Sequence, residues 1–391
     1  MQKRNINQQL EIIKRGATEI ISEEELIQKL KESIDENRPL RIKAGFDPTA
    51  PDIHLGHTVL LKKLRQFQDL GHRIYFLIGD FTGTIGDPSG QDKIRKRLTE
   101  EEVNKNALTY KKQVFKILDP KKTEVVFNSA WFKKMASSEI LNLASYATVA
   151  QILARQDFNQ RYTQGRDISL LEIFYPLLQA YDSVHLKADV EIGGGDQKFN
   201  LLLGRELQRD FKQKPQVIIM LPLLEGTDGV AKMSKSYGNY IGINEAPNEM
   251  FGKIMSISDE LMFKYYELLT DEDLTTIKNM HPKEAKLKLA KIVVAQYHSQ
   301  EQAVRSEKEF QGVFSAKELP QDMPIYKLDK DTPIIEILQN AGMVKSGNEA
   351  RRLIRGKAVI FNNKNIEKEN FFIKEAGILK VGPRKFLKIV K

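Results

Sequence analysis

The stretch LRIKAGFDPTAPDIHLGHTVLLKKLRQFQDLGHRIYFLIGD, residues 40–80, decides the fold of this chain. Its first part, LRIKAGFD (40–47), has the pattern of a strand. Its last part, RIYFLIGD (73–80), is almost wholly apolar, as in a strand buried on both faces. Between them, apolar residues recur at helical spacing until Gly71, which predicts a helix that ends there. We therefore predict a β-α-β unit with a right-handed crossover in a parallel sheet.

The pattern along the rest of the chain extends this unit into an α/β protein of several parts. Two further strands are predicted in ADVEIGGGDQ (188–197) and QVIIMLPLL (216–224), whereas 8–35 and 99–160 have mostly helical periodicity. We predict, in chain order, an N-terminal helical segment (1–35), a Rossmann-like parallel-sheet domain (36–228) with a helical insertion at about 99–165, a loop and helical domain (229–320), a linker (321–332) and a small α+β domain (333–391).

The composition of the chain indicates what kind of partner it binds and in which compartment it works. The chain has 391 residues, 61 basic and 52 acidic, and 13 Lys and Arg against 6 Asp and Glu in residues 331–391 alone. This local excess predicts a polyanion partner for the C-terminal domain, with a solvated basic surface as the alternative. The lack of cysteine excludes disulfides and thiolate chemistry. A polar N-terminus and no apolar run of membrane-spanning length predict a cytoplasmic protein without a membrane partner.

The motif HLGH places two histidines at the point where the first strand leads into the first helix. Ligands of open α/β sheets bind at the carboxyl ends of strands, and a helix N-terminus favours anions. His54 and His57 are three residues apart, and Gly56 between them lets a ligand approach the backbone. A zinc site would need further ligands, of which only Asp47 and Asp52 are near in sequence. We favour binding of a transferring phosphoryl group.

A second motif, GVAKMSKSYGN (229–239), is a basic loop with a glycine near each end. Lys232 and Lys235 stand on either side of Ser234, so the loop is suited to close on a polyphosphate and neutralise its charge. The alternative is a solvated basic loop. The chain has no G-x-x-x-x-G-K-[ST] sequence, which excludes a P-loop as its way of holding ATP.

Two more segments suggest a lined pocket. EIGGGDQKFN (191–200) ends a predicted strand with glycines that allow close approach and a carboxylate, Asp196, that suits ribose hydroxyls. A tight turn is the alternative. In YPLLQAYDSV, the spacing of Tyr175, Gln179 and Asp182 puts these side chains on one helical face. That face lines a pocket or, alternatively, faces water.

Together these segments resemble the class I aminoacyl-tRNA synthetases, and most closely the bacterial tyrosyl-tRNA synthetase family. HLGH resembles the first signature of the class, and KMSKS is its second. GFDPTAPDIHLGH, GDPSGQ, YPLLQAYD and GGGDQKFN occur in the order of the tyrosyl family. The stretch IIEILQNAGMVKSGNEARRLIRGKAVIFNNKNI is similar to the RNA-binding domain named after ribosomal protein S-four. The resemblance covers residues 30–391.

The resemblance implies a two-step reaction in which tyrosine and ATP give tyrosyl-adenylate and pyrophosphate, and the tyrosyl group then passes to the 3′ end of tRNA(Tyr). The carboxylate of tyrosine is already ionised at neutral pH, so the activation step needs no general base. ATP would be used with Mg²⁺, although no dedicated metal cage is visible in the sequence. The family is usually a homodimer, and the helical segment 120–165 is the candidate interface.

Roles carry over from the family by position in this sequence. The implied catalytic residues are Thr49, His54, His57, Lys232 and Lys235. The implied ATP-binding residues are Gly45, Asp47, Gly56, Gly193, Gly195, Asp196, Met233 and Ser234. The implied tyrosine-binding residues are Lys43, Asp87, Tyr175, Gln179, Asp182 and Gln197, of which Asp182 would accept a hydrogen bond from the phenol. The implied tRNA-binding residues are Arg351, Arg352, Arg355 and Lys357.

The chain also departs from the family pattern. Lys43 stands where many members have a tyrosine that contacts the phenol, Gln91 stands where lysine is common, and Glu191 and Lys198 differ from other members. The alternatives are a tryptophanyl-tRNA synthetase, an adenylyltransferase of small-molecule metabolism and a non-catalytic RNA-binding relative of a synthetase. The basic C-terminal domain disfavours the first, and the complete KMSKS together with that domain disfavours the second. The two intact signatures, HLGH and KMSKS, disfavour the third.

Overall fold

A computed structural model describes residues 5–88, 98–315, 323–328, 330–362, 364–382 and 385–391. The chain divides into two compact units, Met1–Ser299 and Gln300–Lys391. Gln91 and part of the predicted linker lie outside the described residues. Among the helices that are described, none is both long enough and apolar enough to cross a lipid bilayer.

The first unit is built on a sheet covered by helices. Its strands are β1 (Glu19–Ile21), β2 (Arg41–Phe46), β3 (Arg73–Ile78), β4 (Thr123–Phe127), β5 (Val190–Gly194) and β6 (Val217–Leu221). Its helices are α1 (Ile6–Lys14), α2 (Glu23–Asp35), α3 (Leu55–Asp69), α4 (Glu100–Val114), α5 (Ser129–Phe132), α6 (Ser137–Ala144), α7 (Val149–Leu153), α8 (Gln156–Thr163), α9 (Leu170–Leu186), α10 (Lys198–Asp210), α11 (Pro247–Met255), α12 (Asp259–Leu269), α13 (Leu274–Lys278) and α14 (Pro282–Tyr297).

The strand order is β1-β6-β5-β2-β3-β4, and all neighbouring strands are parallel except β1, which runs antiparallel to β6. The chain proceeds from β2 outward through β3 to β4, and then continues on the other side of β2 with β5 and β6. The order therefore reverses between β2 and β5. In open parallel sheets this reversal opens a crevice at the carboxyl ends of the strands, where ligands bind. The predicted α/β fold with a parallel sheet is confirmed.

The β2-α3-β3 unit follows the predicted pattern closely. Every residue of β3 after Arg73 is buried, as expected for a strand with helices on both faces of its sheet. Leu61, Leu64 and Phe67 of α3 are fully buried at helical spacing. Gly71 follows α3 with a φ of 98°, a left-handed conformation that glycine adopts without steric cost.

The structure differs from the predicted pattern in two short strands. In the segment 8–35 the helical prediction is confirmed for α1 and α2 but wrong for the three residues of β1, which pair with β6. β4 lies within the predicted helical insertion and extends the parallel sheet beside β3. Both strands are only three to five residues long, so the helical periodicity on either side of them outweighs their β-branched residues in a sequence window.

The second unit is a small α+β assembly. Its elements are α15 (Gln300–Ser315), β7 (Ile325–Lys327), β8 (Thr332–Pro333), α16 (Ile334–Asn340), α17 (Gly347–Arg355), β9 (Val359–Phe361), β10 (Lys364–Asn365), β11 (Phe372–Ile373), β12 (Gly377–Val381) and β13 (Lys385–Val390). The order β10-β9-β12-β13-β7 forms one sheet, and β11 pairs with β8. Ile337, Ile354 and Leu379 are among its fully buried core residues. The division between the two units falls before α15, at Ser299–Gln300, and not at 320 or 332. The boundaries predicted at 320 and 332 stay predictions.

Candidate active site at the reversal of strand order

A crevice of about 430 Å³ lies at the carboxyl ends of β2 and β5, where the strand order reverses. It brings together predicted residues that are up to 190 positions apart in the sequence. Those that line it are Gly45, Asp47, Thr49, His54, Gly56, His57, Asp87, Asp196, Gln197, Lys232, Met233, Ser234 and Lys235. The remaining predicted residues of the first unit do not line this crevice: Lys43, Gly193, Gly195, Tyr175, Gln179 and Asp182.

The rings of the two HLGH histidines contact each other at the start of α3, with their centroids 3.9 Å apart and their planes tilted by 37°. The backbone N–H of His54 donates to Nδ1 of His57 at 3.3 Å, so the proton of the neutral His57 ring is on Nε2. Burial, reinforced by the charge of Lys235, lowers the pKa of His57 to about 4. Burial, His57 and Lys235 lower the pKa of His54 to about 2. Both rings are therefore neutral at pH 7 and act as hydrogen-bonding groups rather than as cations.

Gly56 joins HLGH to the KMSKS motif. Its backbone N–H approaches the sulfur of Met233 at 3.3 Å. A Cβ at position 56 would meet the His54 ring at 3.0 Å and Cβ of Met233 at 3.4 Å. A side chain at this position would therefore displace either the histidine or the loop that carries KMSKS, so glycine is required for the close approach of the two motifs.

Both lysines of KMSKS face carboxylates of the crevice. Nζ of Lys235 lies 2.5 Å from Oδ2 of Asp52, and Nζ of Lys232 lies 3.6 Å from Oδ2 of Asp196. The lysines are 28% and 38% exposed, respectively, so water and entering anions can reach them. A polyphosphate in the crevice would compete with these carboxylates for the two cations.

Asn239, which the sequence analysis does not single out, holds the KMSKS loop. Its Oδ1 accepts from the backbone N–H of Ser234 at 2.9 Å, and its Nδ2 donates to Oδ2 of Asp228 at 2.9 Å. Gly229 and Gly238 have φ values of 69° and 68°, so each turns the chain in the left-handed region. The amide of Asn239 thus holds the loop, and a glycine turn lies near each end of it.

Asp47 and Tyr175 connect the crevice to helix α9. The phenol of Tyr175 donates to Oδ2 of Asp47 at 3.0 Å, and Oγ1 of Thr82 donates to Oδ1 at 2.8 Å. Burial and neighbouring carboxylates raise the pKa of Tyr175, so it remains a hydrogen-bond donor. Elsewhere in the crevice lining, Nε2 of Gln197 donates to Oδ2 of Asp87 at 3.4 Å.

Asp182 lies seven residues after Tyr175 on the same face of α9 and is 2% exposed. The indole Nε1 of Trp131 donates to Oδ1 at 3.0 Å, and Nδ2 of Asn128 donates to Oδ2 at 3.3 Å. Burial raises the pKa of Asp182 to about 7, although Lys43, Asn128 and Trp131 act in the opposite direction. The sequence analysis misses Asn128 and Trp131, which follow the equally missed strand β4.

Gln179 is oriented by a chain of hydrogen bonds that begins at an arginine. Nη1 of Arg155 donates to Oδ1 of Asn200 at 3.1 Å, and Nδ2 of Asn200 donates to Oε1 of Gln179 at 2.7 Å. Because a guanidinium can only donate, it fixes the orientation of the Asn200 amide and, through it, that of Gln179. Arg155 and Asn200 are further residues that the sequence analysis misses.

The glycines at and directly after the carboxyl end of β5 have different surroundings. A Cβ on Gly193 would lie 2.7 Å from Leu201, and one on Gly194 would lie 2.8 Å from the Asp196 carboxylate. A Cβ on Gly195 would meet no atom within 4 Å. The close packing here thus requires glycine at Gly193 and at Gly194, which lines the crevice although the sequence analysis does not select it.

The ammonium of Lys43 is fully buried, away from the crevice. It contacts Oε1 of Glu191 at 2.9 Å, Oγ of Ser183 at 2.8 Å and the carbonyl oxygen of Gln179 at 3.2 Å. An ammonium has three N–H donors, and these three acceptors use them all. In this arrangement Lys43 has no donor left for the direct phenol contact that the resemblance implies.

The predicted tRNA-binding residues form an exposed basic face in the second unit. Arg351, Arg352 and Arg355 lie on α17, whose Ala350 and Ile354 are buried on the other side. Glu369 lies 2.7 Å from Nε of Arg355 and 3.6 Å from Nε of Arg351. Nζ of Lys357 lies 3.3 Å from Glu367. Three of the four predicted cations are therefore paired with surface carboxylates, which a phosphate could replace.

Residues 35–315 match the model of the family described as tRNA synthetases class I (W and Y). The tyrosine–tRNA ligase of Carboxydothermus hydrogenoformans is 55% identical to the chain and that of Aquifex aeolicus 53%, each alignment covering 98% of both proteins. The tyrosyl-tRNA synthetase of Archaeoglobus fulgidus, solved with L-tyrosine, superposes with a TM-score of 0.63 at 25% identity over 78% of this chain and 100% of that one. This chain belongs to the class I tRNA synthetases of the tryptophan and tyrosine family.

Proposed function

We propose that this chain is a tyrosine–tRNA ligase, which activates tyrosine with ATP and transfers the tyrosyl group to tRNA(Tyr). The observation that carries the proposal is Asp182, a buried carboxylate held by Trp131 and Asn128 on the helix face that leads to the crevice. It is suited to accept a hydrogen bond from a phenol. The curated relatives named above are tyrosine–tRNA ligases at 53% and 55% identity, which favours tyrosine over tryptophan.

In the activation step, the tyrosine carboxylate attacks the α-phosphorus of ATP and the bond to pyrophosphate breaks. The chain has to align these groups and stabilise the charge that develops on the leaving group. Lys232 and Lys235 would exchange Asp196 and Asp52 for phosphate oxygens. Neutral His54 and His57 would donate hydrogen bonds to the phosphate groups.

The nucleoside would lie along the glycines at the carboxyl ends of β2 and β5. A Cβ at Gly45 or Gly195 would meet no atom closer than 3.5 Å, so the backbone there has room to approach the nucleoside. Gly193, whose Cβ position lies against Leu201, would contact it only through its backbone. Asp196, once released by Lys232, could accept hydrogen bonds from the ribose hydroxyls. Thr49 is exposed at the crevice wall, where its hydroxyl can donate to a phosphate. Met233 and Ser234 would contact the nucleotide from the KMSKS loop.

Tyrosine would lie with its ammonium near Asp87, Tyr175 and Gln179, its carboxylate near Gln197 and its phenol at Asp182. Phenylalanine would leave the buried Asp182 carboxylate without its substrate partner. Loss of a hydrogen bond at such a group strongly disfavours the analogue, and tyrosyl enzymes are the standard example of this selectivity.

Mg²⁺ would accompany ATP. No group of three or more His, Asp or Glu side chains with metal-binding geometry occurs among the residues that the structure describes. Asp52 and Asp196 nevertheless offer carboxylate oxygens, the ligand type that Mg²⁺ prefers, so the crevice fits an ion held mainly by substrate phosphates. When bound, the ion would neutralise charge on those phosphates.

The second unit would bind tRNA through the basic face of α17. The double change Arg351→Gln and Arg355→Gln should weaken tRNA binding and reduce its logarithmic salt slope by about two, because each phosphate contact contributes about 0.9. Pyrophosphate exchange should be unchanged. An unchanged salt slope would remove these residues from the interface.

Assembly and location complete the proposal. Leu141, Val149, Tyr162 and Leu170 are large apolar residues that are more than 60% exposed in or just after the segment 120–165. Exposed apolar groups at this density suit a subunit interface, so the chain would form a homodimer through this region. As a bacterial-type enzyme of translation, it would act in the cytoplasm.

Pyrophosphate exchange into ATP, measured separately with each of the twenty amino acids, tests the proposal. Exchange should depend on tyrosine, and charging of tRNA(Tyr) should follow. Stimulation by tryptophan in place of tyrosine would overturn the assignment.

A further inference from the structure

Lys43 and Glu191 form a buried ion pair in contact with the part of α9 that carries Gln179 and Asp182, here called the amino-acid end of the site. They are register partners on the neighbouring strands β2 and β5, directly at the reversal of strand order. Their side chains are 0% and 2% exposed, and Nζ of Lys43 lies 2.9 Å from Oε1 of Glu191. The second carboxylate oxygen accepts from Ser183 at 2.8 Å and from Gln216.

The pair is tied to one turn of α9. Lys43 donates to the carbonyl oxygen of Gln179 and to the hydroxyl of Ser183, and Glu191 accepts from that same hydroxyl. The turn between these two residues contains Asp182, which directly precedes Ser183. The pair therefore fixes both ends of the turn that presents the proposed phenol acceptor.

Stability alone does not account for such a pair. Removing two charges from water is expensive, and well-packed apolar residues of similar volume are often at least as stabilising. The donors of Lys43 are also fully used within the protein, so it does not serve the substrate by direct contact. What the pair provides is a fixed geometry for the turn from Gln179 to Ser183.

We propose that the Lys43–Glu191 pair positions Gln179 and Asp182 and thereby sets the selectivity of the site for tyrosine over phenylalanine. This inference rests on the proposed function. The charge of Lys43 also counteracts the effect of burial on the pKa of Asp182, whereas that of Glu191 adds to it. Lys43 is thus a positioning residue. It does not contact the phenol directly but holds in place the turn that carries Asp182, the proposed acceptor.

The test compares three variants in pyrophosphate exchange with tyrosine and with phenylalanine. Lys43→Met combined with Glu191→Gln removes both charges together and keeps the side-chain volumes similar. Glu191→Gln alone retains Lys43 and the volume of residue 191, and it serves as the second variant if the double variant does not fold. Lys29→Met is the matched control. Lys29 is also a buried lysine near a carboxylate, Asp189, but Asp189 precedes the amino end of β5, whereas the crevice is at the carboxyl end.

We expect the double variant to raise KM for tyrosine at least tenfold and to lower the tyrosine-to-phenylalanine ratio of kcat/KM at least tenfold. KM for ATP should stay within twofold. Glu191→Gln should lower the selectivity ratio at least threefold, whereas Lys29→Met should leave it unchanged.

A folded double variant with wild-type selectivity would overturn the inference, as would wild-type selectivity in Glu191→Gln. A lower ratio for Lys29→Met would also overturn it, because selectivity would then follow general loss of packing. If the wild-type protein itself shows no tyrosine-dependent exchange, the proposed function fails instead, and this result is separate from the behaviour of the variants.

Discussion

The two ends of the candidate active site are built in opposite ways. At the phosphate end, Lys232 and Lys235 are partly exposed and paired with single carboxylates that an anion can replace. At the amino-acid end, Asp182 and Gln179 are buried. Trp131 and Asn128 hold Asp182, and Asn200 holds the amide of Gln179. The difference predicts that the proposed phosphate end exchanges partners during the reaction, whereas the proposed amino-acid end is organised before the substrate arrives.

The largest effect is expected from Lys235→Ala, which tests the phosphate end. Lys235 should contact the pyrophosphate mainly as charge develops in the transition state, so adenylate formation should slow by roughly 10³-fold. Tyrosine affinity should barely change, since the amino-acid end is intact. Single-turnover adenylate formation and equilibrium tyrosine binding separate the two quantities, and an equal loss in both would contradict the assignment.

The next largest effect is expected from Asp182→Asn, which tests the organised end. The variant should lose about a hundredfold in kcat/KM for tyrosine, the scale of a hydrogen bond to a charged group. KM for ATP should stay near the wild-type value, because the lysine pairs are untouched. A comparable rise in KM for ATP would show that the two ends do not act separately.

A smaller and pH-dependent effect is expected from Trp131→Phe. Burial raises the pKa of Asp182 to about 7, so in the wild-type protein kcat/KM for tyrosine should fall as the pH drops through about 7 and the carboxylate takes up a proton. Trp131 opposes this rise through its hydrogen bond. Its removal should shift the fall to higher pH and lower kcat/KM about tenfold at pH 6. A pH profile that does not move would count against this role.

The smallest effect is expected from Asp52→Asn, which releases Lys235 from its carboxylate. A partly exposed ion pair is worth at most about 1 kcal/mol, so KM for ATP should fall only about two- to threefold. Steady-state exchange at varied ATP measures it, with Asp271→Asn as the control, because Asp271 pairs with Lys62 rather than with a KMSKS lysine. A rise in KM would mean that Asp52 itself assists ATP binding.

The sequence predicts the parts of this site that depend on local pattern. The run 73–80 is apolar enough to be identified as a buried strand, and HLGH and KMSKS each hold their candidate residues within a few positions. The parallel sheet follows from these strands, and with it the position of the crevice. For this reason the phosphate end is the better predicted of the two.

Most of the amino-acid end could not be predicted in the same way. Trp131 and Asn128 reach Asp182 from more than fifty residues away, and the partners of Lys43 lie on α9 and β5. Nothing in the local sequence of Lys43 distinguishes a substrate contact from a buried ion pair. The short strands β1 and β4 are missed for a related reason, because their formation depends on pairing with distant strands.

Trp131 is the only tryptophan in the chain, and it donates its indole hydrogen to Asp182 while its ring stacks on His185 at 4.3 Å. Tryptophan fluorescence of this protein therefore arises from one place, next to the carboxylate proposed to receive the phenol. The fluorescence of Trp131 should therefore change when tyrosine binds at the amino-acid end, and much less when ATP binds. Occupancy of one end can thus be followed in solution without any label.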